Sequence, residues 1–181
     1  AIANCLSTHP VTGLCVDSEY GSMPDWDVSN VTAMTEAFIQ RSDFNADISD
    51  WDVSNVTDMS LMFYIATSFN QPIGDWDVGN VKDMTRMFNT ANSFNQDIDD
   101  WDVSNVTYMY QMFTGAWSFN QPIGDWDVSN VTTMEEMFNG AWSFNQPLRE
   151  WDVSKVFSML GMFNGSDLNT CNYDNTLIGW S

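Results

Sequence analysis

The stretch WDVSNVTDMSLMFYIATSFNQPIGDWDV, residues 51–78, contains one full copy of the repeat that decides the fold of this chain. Tryptophan returns after every 25 residues, and an acidic residue stands on each side of it. The repeat tryptophans are Trp26, Trp51, Trp76, Trp101, Trp126 and Trp151. Self-similarity at a fixed period of this length is typical of repeat architectures, in which each unit packs against its neighbours.

Within each repeat, two hydrophobic patterns follow one another. The section around Trp76 alternates apolar and polar residues through Gly79, which predicts a short, half-buried strand. The next section has apolar residues at helical spacing, which predicts a short amphipathic helix. In the third copy these residues are Val81, Met84, Met87, Phe88 and Ala91. The return segment S-F-N-Q-P-I then leads to the next strand.

A unit of strand, helix and return loop cannot bury its apolar face alone, so the copies are expected to stack. We predict an α/β solenoid of six strand-helix repeats with a parallel sheet. The solenoid spans residues 25–168, between an N-terminal cap at 1–24 and a C-terminal cap at 169–181. The methionines at helical positions are expected to fill the core. The F-N-Q asparagines are expected to satisfy loop backbone groups; they are Asn45, Asn70, Asn95, Asn120 and Asn145.

Composition limits the class of partner. The chain has 25 acidic residues against five basic ones, for a net charge of −20, which disfavours nucleic acid and anionic membranes. No apolar run is long enough to span a bilayer, so we expect no membrane insertion. The single histidine, His9, has no nucleophile motif beside it, and six equivalent carboxylate pairs do not resemble a unique active site. We therefore expect no enzymatic activity and no required cofactor.

The three cysteines lie outside the repeats. A disulfide between Cys5 and Cys15 would close a short loop in the N-terminal segment, where no repeat packs, and this pairing is the one we predict. Cys171 is then left as a free thiol.

The stretch 51–78 resembles the 25-residue repeat of the BspA-like surface proteins, a domain of unknown function first described in mycoplasma. The resemblance covers about 80% of the chain and six copies. Because that repeat is grouped with leucine-rich repeats, the resemblance implies a leucine-rich-repeat-like solenoid. It also implies an extracellular or cell-surface location, a role in adhesion or protein contact, and no catalytic residues.

Two rows of acidic residues follow from the stacking. If each repeat adds one strand, the acids flanking the tryptophans point outward in two lines. One row is Asp27, Asp52, Asp77, Asp102, Asp127 and Asp152, and the other is Asp25, Asp50, Asp75, Asp100, Asp125 and Glu150. Calcium takes about six to eight oxygen ligands, so neighbouring units are candidate weak calcium sites. The alternative is a solvated acidic face that keeps the sheet soluble.

Recognition is expected where the copies differ. The fourth and fifth copies contain Tyr108, Tyr110, Trp117 and Trp142 in place of small or polar residues. Trp117 and Trp142 are one repeat apart and are predicted to lie side by side. If exposed, the pair would stack on a sugar ring or anchor a partner protein. Alternatively, the two rings pack over loops and shield the core.

The sequence thus favours a binding or adhesion module that recognises a protein or glycan through an extended surface. Two alternatives remain open: a calcium-organised structural or matrix protein using the aspartate rows, and ice- or mineral-surface binding by regular rows of Ser, Thr and Asp. The oligomeric state and the identity of the ligand do not follow from the sequence.

Overall fold

The computed structural model describes residues 1–16, 19 and 21–181. We number the segments that begin at the repeat tryptophans as coils 1 to 6. Coils 1 to 5 have 25 residues each, and coil 6 runs from Trp151 to Asn169. Two helices flank them, α1 (Ile2–Thr8) and α2 (Thr170–Gly179), and a short 3-10 helix, Met23–Asp25, precedes coil 1. Successive coils stack in a constant register of 25 residues. Five isolated parallel bridges mark that register, linking Ala33, Asp58, Asp83, Tyr108, Thr133 and Ser158 in order.

The predicted parallel sheet is wrong, because the described residues form no β-strand and neighbouring coils share only isolated bridges. In coil 3 the predicted strand consists of turns. The Trp76 amide donates to the Ile73 carbonyl at 3.2 Å, and the Val81 amide donates to the Val78 carbonyl at 2.9 Å. Backbone donors that close turns within a coil are not free for a ladder to the next coil. The alternation of apolar and polar residues around Trp76 and Val78 therefore reflects which side chains are buried. It does not indicate an extended backbone.

The predicted helix in each repeat is also wrong. In coil 3 the Met87 amide donates to the Met84 carbonyl at 3.1 Å, which closes a β-turn. The third residue of that turn, Arg86, has φ 56°, as a type II turn requires. The amides of Arg86 and Phe88 instead donate to carbonyls of coil 4, both at 2.9 Å. In an α-helix these amides would donate to carbonyls four residues earlier in the chain.

The strand-helix, leucine-rich-repeat type of solenoid is therefore excluded as the architecture. The coils are built from consecutive β-turns in which amides bond alternately within the coil and to the next coil. Left-handed residues recur twice per coil, and many of them are not glycine. Each such residue costs about 1–2 kcal/mol, which the hydrogen bonds between coils offset.

The predicted core residues are nevertheless buried. Met84, Met87, Phe88 and Ala91 are fully inaccessible, and so are their equivalents in coils 2, 4 and 5. One phenylalanine from each coil stacks in a column, with ring centroids 5.4–5.9 Å apart between neighbours. A second column has spacings of 5.7–6.1 Å. The prediction that the methionines fill the core is confirmed.

The F-N-Q asparagines form a polar ladder along one corner of the stack. The Asn45 side-chain oxygen accepts a hydrogen bond from the Asn70 amide at 2.9 Å, and the same 2.9 Å bond links each asparagine to the next through Asn145. These side chains satisfy loop backbone groups, as predicted. The ladder also links equivalent positions 25 residues apart, in the same register as the backbone bridges.

The terminal segments pack on the two ends of the stack. The Cys5–Cys15 disulfide is present, which confirms its prediction, and Cys171 is an exposed free thiol. At the other end, the indole of Trp180, which directly follows α2, donates to the Leu148 carbonyl at 2.9 Å. The division of the chain at residues 24 and 168 stays a prediction. No helix in the described part of the chain is both long and apolar enough to span a membrane.

Candidate functional site

The aspartates that follow the repeat tryptophans are exposed, but each is tied to its own loop. One oxygen of Asp52 accepts hydrogen bonds from the Ser54 amide at 3.1 Å and from the Ser54 hydroxyl at 2.6 Å. These bonds lower the pKa of Asp52, with the hydroxyl as the larger cause. The other members of the row accept the same amide bond at 3.0–3.1 Å; they are Asp27, Asp77, Asp102, Asp127 and Asp152. The local role of this row is to hold the turn after each tryptophan.

The row that precedes the tryptophans is exposed along its whole length, and its members are Asp25, Asp50, Asp75, Asp100, Asp125 and Glu150. Glu150 lies 3.5 Å from Arg149, an ion pair exposed to solvent. The sequence reasoning missed a further acid beside this row, Asp99, whose pKa is raised by partial burial and then by the charges of Asp125, Asp97 and Asp100.

Both acidic rows therefore face outward. Among the residues described, no group of three or more His, Cys, Asp or Glu side chains is arranged to hold a metal ion. Calcium binding by the rows stays a prediction.

Trp117 and Trp142 form the most conspicuous exposed aromatic feature. Their rings are stacked with centroids 4.7 Å apart and planes within 3°, so the prediction that they lie side by side is confirmed. Trp117 is 44% exposed and Trp142 is 61% exposed. The two interpretations of the pair, a contact surface and a cover over loops, both stay predictions.

Hydrogen bonding separates this pair from the other seven tryptophans. The indoles of Trp51, Trp76, Trp101, Trp126 and Trp151 each donate to a backbone carbonyl 28 residues earlier, at 2.9–3.2 Å. Those of Trp26 and Trp180 also donate to backbone carbonyls. Within the described residues, the indoles of Trp117 and Trp142 have no acceptor. Two ring N–H groups are therefore free to bind a partner.

The predicted tyrosines lie elsewhere on the coils. Tyr108 is exposed, and its backbone forms parallel bridges to the neighbouring coils. Tyr110 is half-buried, and the Arg86 guanidinium lies 5.2 Å from the centroid of its ring. Arg86 also donates to the Gln111 side chain at 2.6 Å, and Gln111 donates in turn to Glu136. This polar chain crosses three coils, and the sequence reasoning missed it. Comparing the same repeat position across coils would have found it.

Small residues adjoin the indole pair. Gly115 and Gly140 each precede a tryptophan by two residues, and Ser118 and Ser143 follow directly and are exposed. A side-chain carbon added to Gly140 would lie 3.8 Å from the Gly115 Cα, so these glycines are stacked as well. In coils 1–3 the equivalent left-handed residues are Gln40, Ile65 and Thr90. Among the first five coils, glycine therefore occupies this left-handed position only in coils 4 and 5, two residues before each indole.

The architecture defines a repeat protein made of stacked, turn-built coils. The family model described as "Mycoplasma protein of unknown function, DUF285" matches residues 15–116 and 72–176. The chain belongs to this family. No curated protein matches the chain, and no solved structure matches it.

Proposed function

We propose that this chain is a binding module of the BspA-like surface type, secreted or displayed at a cell surface. Its partner is a protein or a glycan, and the Trp117–Trp142 pair on coils 4 and 5 is the contact surface. The observation that carries the proposal is the exposure of this stacked pair together with its two unused indole donors.

Physical chemistry supports a recognition role for the pair. An indole combines a large apolar face with one polar edge, and such rings are enriched among residues that dominate binding energy. In the core, the same residue type is buried and hydrogen-bonded in coil after coil, as at Trp101. Trp117 and Trp142 stack on each other, but neither ring is buried in the core and neither makes a structural hydrogen bond of that kind. A surface contact is the role that their geometry leaves for them.

The extended shape and charge of the chain also favour a surface role. Stacked coils present a long flank on which the pair lies, and such flanks are what repeat proteins use for binding. The net charge of −20 disfavours polyanionic partners and favours solubility. A strongly acidic chain that exposes two aromatic rings suits a partner without dense negative charge.

The test is binding of the purified chain to an array of surface proteins and glycans. Trp117→Ala, Trp142→Ala and the double variant are compared with the wild type, and Phe157→Ala is the matched control. Phe157 is an aromatic side chain, 79% exposed, on coil 6. We expect the two tryptophan variants to lose binding by about tenfold or more while the control retains it. Unchanged binding in the double variant would remove the pair from the proposed function.

A further inference from the structure

We infer that the ligand of the indole pair is a neutral glycan, a chain of uncharged pyranose rings. This inference rests on the proposed function and names the chemical class of its ligand. It depends on three features of coils 4 and 5: the exposed parts of the two indole rings with their N–H groups, the polar character of their sequence neighbours, and the excess of negative over positive charge.

The indole geometry suits sugar rings. The two planes lie within 3° of each other at a centroid distance of 4.7 Å, so the faces between them are closed to a ligand. The exposed part of each ring, 44% of Trp117 and 61% of Trp142, remains available together with the two N–H donors. A pyranose ring has C–H faces that pack on an aromatic face and hydroxyl oxygens that accept from an N–H donor. Because the donors recur from coil to coil, one glycan chain contacts both coils.

The surroundings differ from those of a protein-binding hot spot. Protein hot spots lie in well-packed, desolvated pockets at the centre of an interface. Here the sequence neighbours are glycine two residues before each indole and an exposed serine directly after it. The most exposed large apolar side chains, Phe157 and Leu160, belong to coil 6 instead. Hydroxyl groups beside an aromatic face match a polyhydroxylated ligand better than an apolar protein surface.

The excess of acidic side chains in this part of the chain disfavours acidic sugars as ligands. Residues 101–148, which include both indoles, contain no lysine or arginine. The same range contains Asp102, Asp125, Asp127, Glu135 and Glu136. The one cation of coils 4 and 5, Arg149, lies 3.5 Å from Glu150, so a sulfate or carboxylate on the ligand would meet an excess of negative charge in these coils. A neutral chain meets no such penalty.

The experiment is isothermal titration of the wild-type chain with hexasaccharides of glucose, mannose and N-acetylglucosamine. A heparin hexasaccharide, which is sulfated, serves as the anionic comparison. We expect at least one neutral hexasaccharide to bind and the heparin fragment not to bind. Trp117→Ala and Trp142→Ala should each weaken binding about tenfold or more, whereas Phe157→Ala should leave it unchanged.

Trp142→Phe provides a second, gentler variant, because it keeps an aromatic face and removes only the N–H donor and part of the ring. We expect its affinity to fall between those of the wild type and Trp142→Ala. Far-ultraviolet circular dichroism and melting temperature establish that each variant is folded.

The outcomes separate the two proposals. If no neutral hexasaccharide binds, or if the heparin fragment binds more tightly, the neutral-glycan inference is wrong. The proposed function still stands if the tryptophan variants lose binding to a surface protein on the array. If a neutral hexasaccharide binds equally well to the double alanine variant, the inference is wrong for this site. If the double variant keeps every binding activity of the wild type, both proposals fail.

Discussion

Replacing tryptophan by phenylalanine should lower the free energy of unfolding at a buried, hydrogen-bonded position and leave it nearly unchanged at an exposed one. Trp101→Phe removes an indole that is 3% exposed and donates to the Ile73 carbonyl at 3.0 Å. The Ile73 carbonyl keeps its hydrogen bond from the Trp76 amide, so losing the indole donor costs the net value of one hydrogen bond, about 0.5–1.5 kcal/mol. The missing ring atoms leave a cavity that costs about 1 kcal/mol more. The expected loss in the free energy of unfolding is therefore about 1.5–2.5 kcal/mol.

The matched substitution is Trp142→Phe. This indole has no acceptor among the described residues, and a phenyl ring can still stack on Trp117. We expect a change within about 0.5 kcal/mol, as for other exposed positions. For a chain of this size each kcal/mol shifts the melting temperature by about 2–4 °C, so Trp101→Phe should lower it by roughly 3–10 °C.

Urea and thermal unfolding, followed by far-ultraviolet circular dichroism, measure both variants without relying on indole fluorescence. The dependence of unfolding on urea should have the same slope in all three proteins if they unfold to a similar extent. A loss below about 0.5 kcal/mol in Trp101→Phe would refute the structural role assigned to the buried indole. An equal loss in Trp142→Phe would refute the distinction between buried, hydrogen-bonded tryptophans and the exposed pair.

Three further substitutions test the turns and the acidic row. Gly79→Ser restores the serine that other coils have at this position and supplies a hydroxyl to Asp77, so we expect a gain of about 0.5–1 kcal/mol in urea unfolding. Gly74→Ala places a side-chain carbon 2.6 Å from a backbone carbonyl of the next coil, and thermal unfolding should show a loss of about 1–3 kcal/mol. Ser54→Ala removes the larger cause of the lowered pKa of Asp52, so NMR titration should find that pKa higher in the variant. A lowered carboxyl pKa stabilises the fold above the unfolded value, near 3.8, and the contribution is lost as the pH falls through the folded value. The difference in stability between wild type and variant should therefore be absent in strong acid; a difference that persists there would contradict this reasoning.

The candidate site was partly accessible from the sequence. The constant spacing of 25 residues placed Trp117 beside Trp142, and the outward direction of the flanking acids followed from the burial of Trp76 and Val78. The serine bonds that tie Asp52 to its own loop were not predicted, since the expected strand has no place for such a turn. The unused indole donors were also inaccessible, because only the structure shows which carbonyls the other indoles reach.

The sequence by itself determined the period of the repeat, the side chains that enter the core and the adjacency of equivalent residues. Those properties depend on hydrophobicity and on regular spacing, and the amino-acid sequence contains both. The tertiary structure decided the backbone conformation. Apolar spacing near Met84 and Phe88 is compatible with a helix, but the acceptors for their amides are carbonyls of coil 4, 24 residues further along the chain. No local pattern contains that information. The stacking supplies the acceptors, and with them the choice of turns over helix and strand.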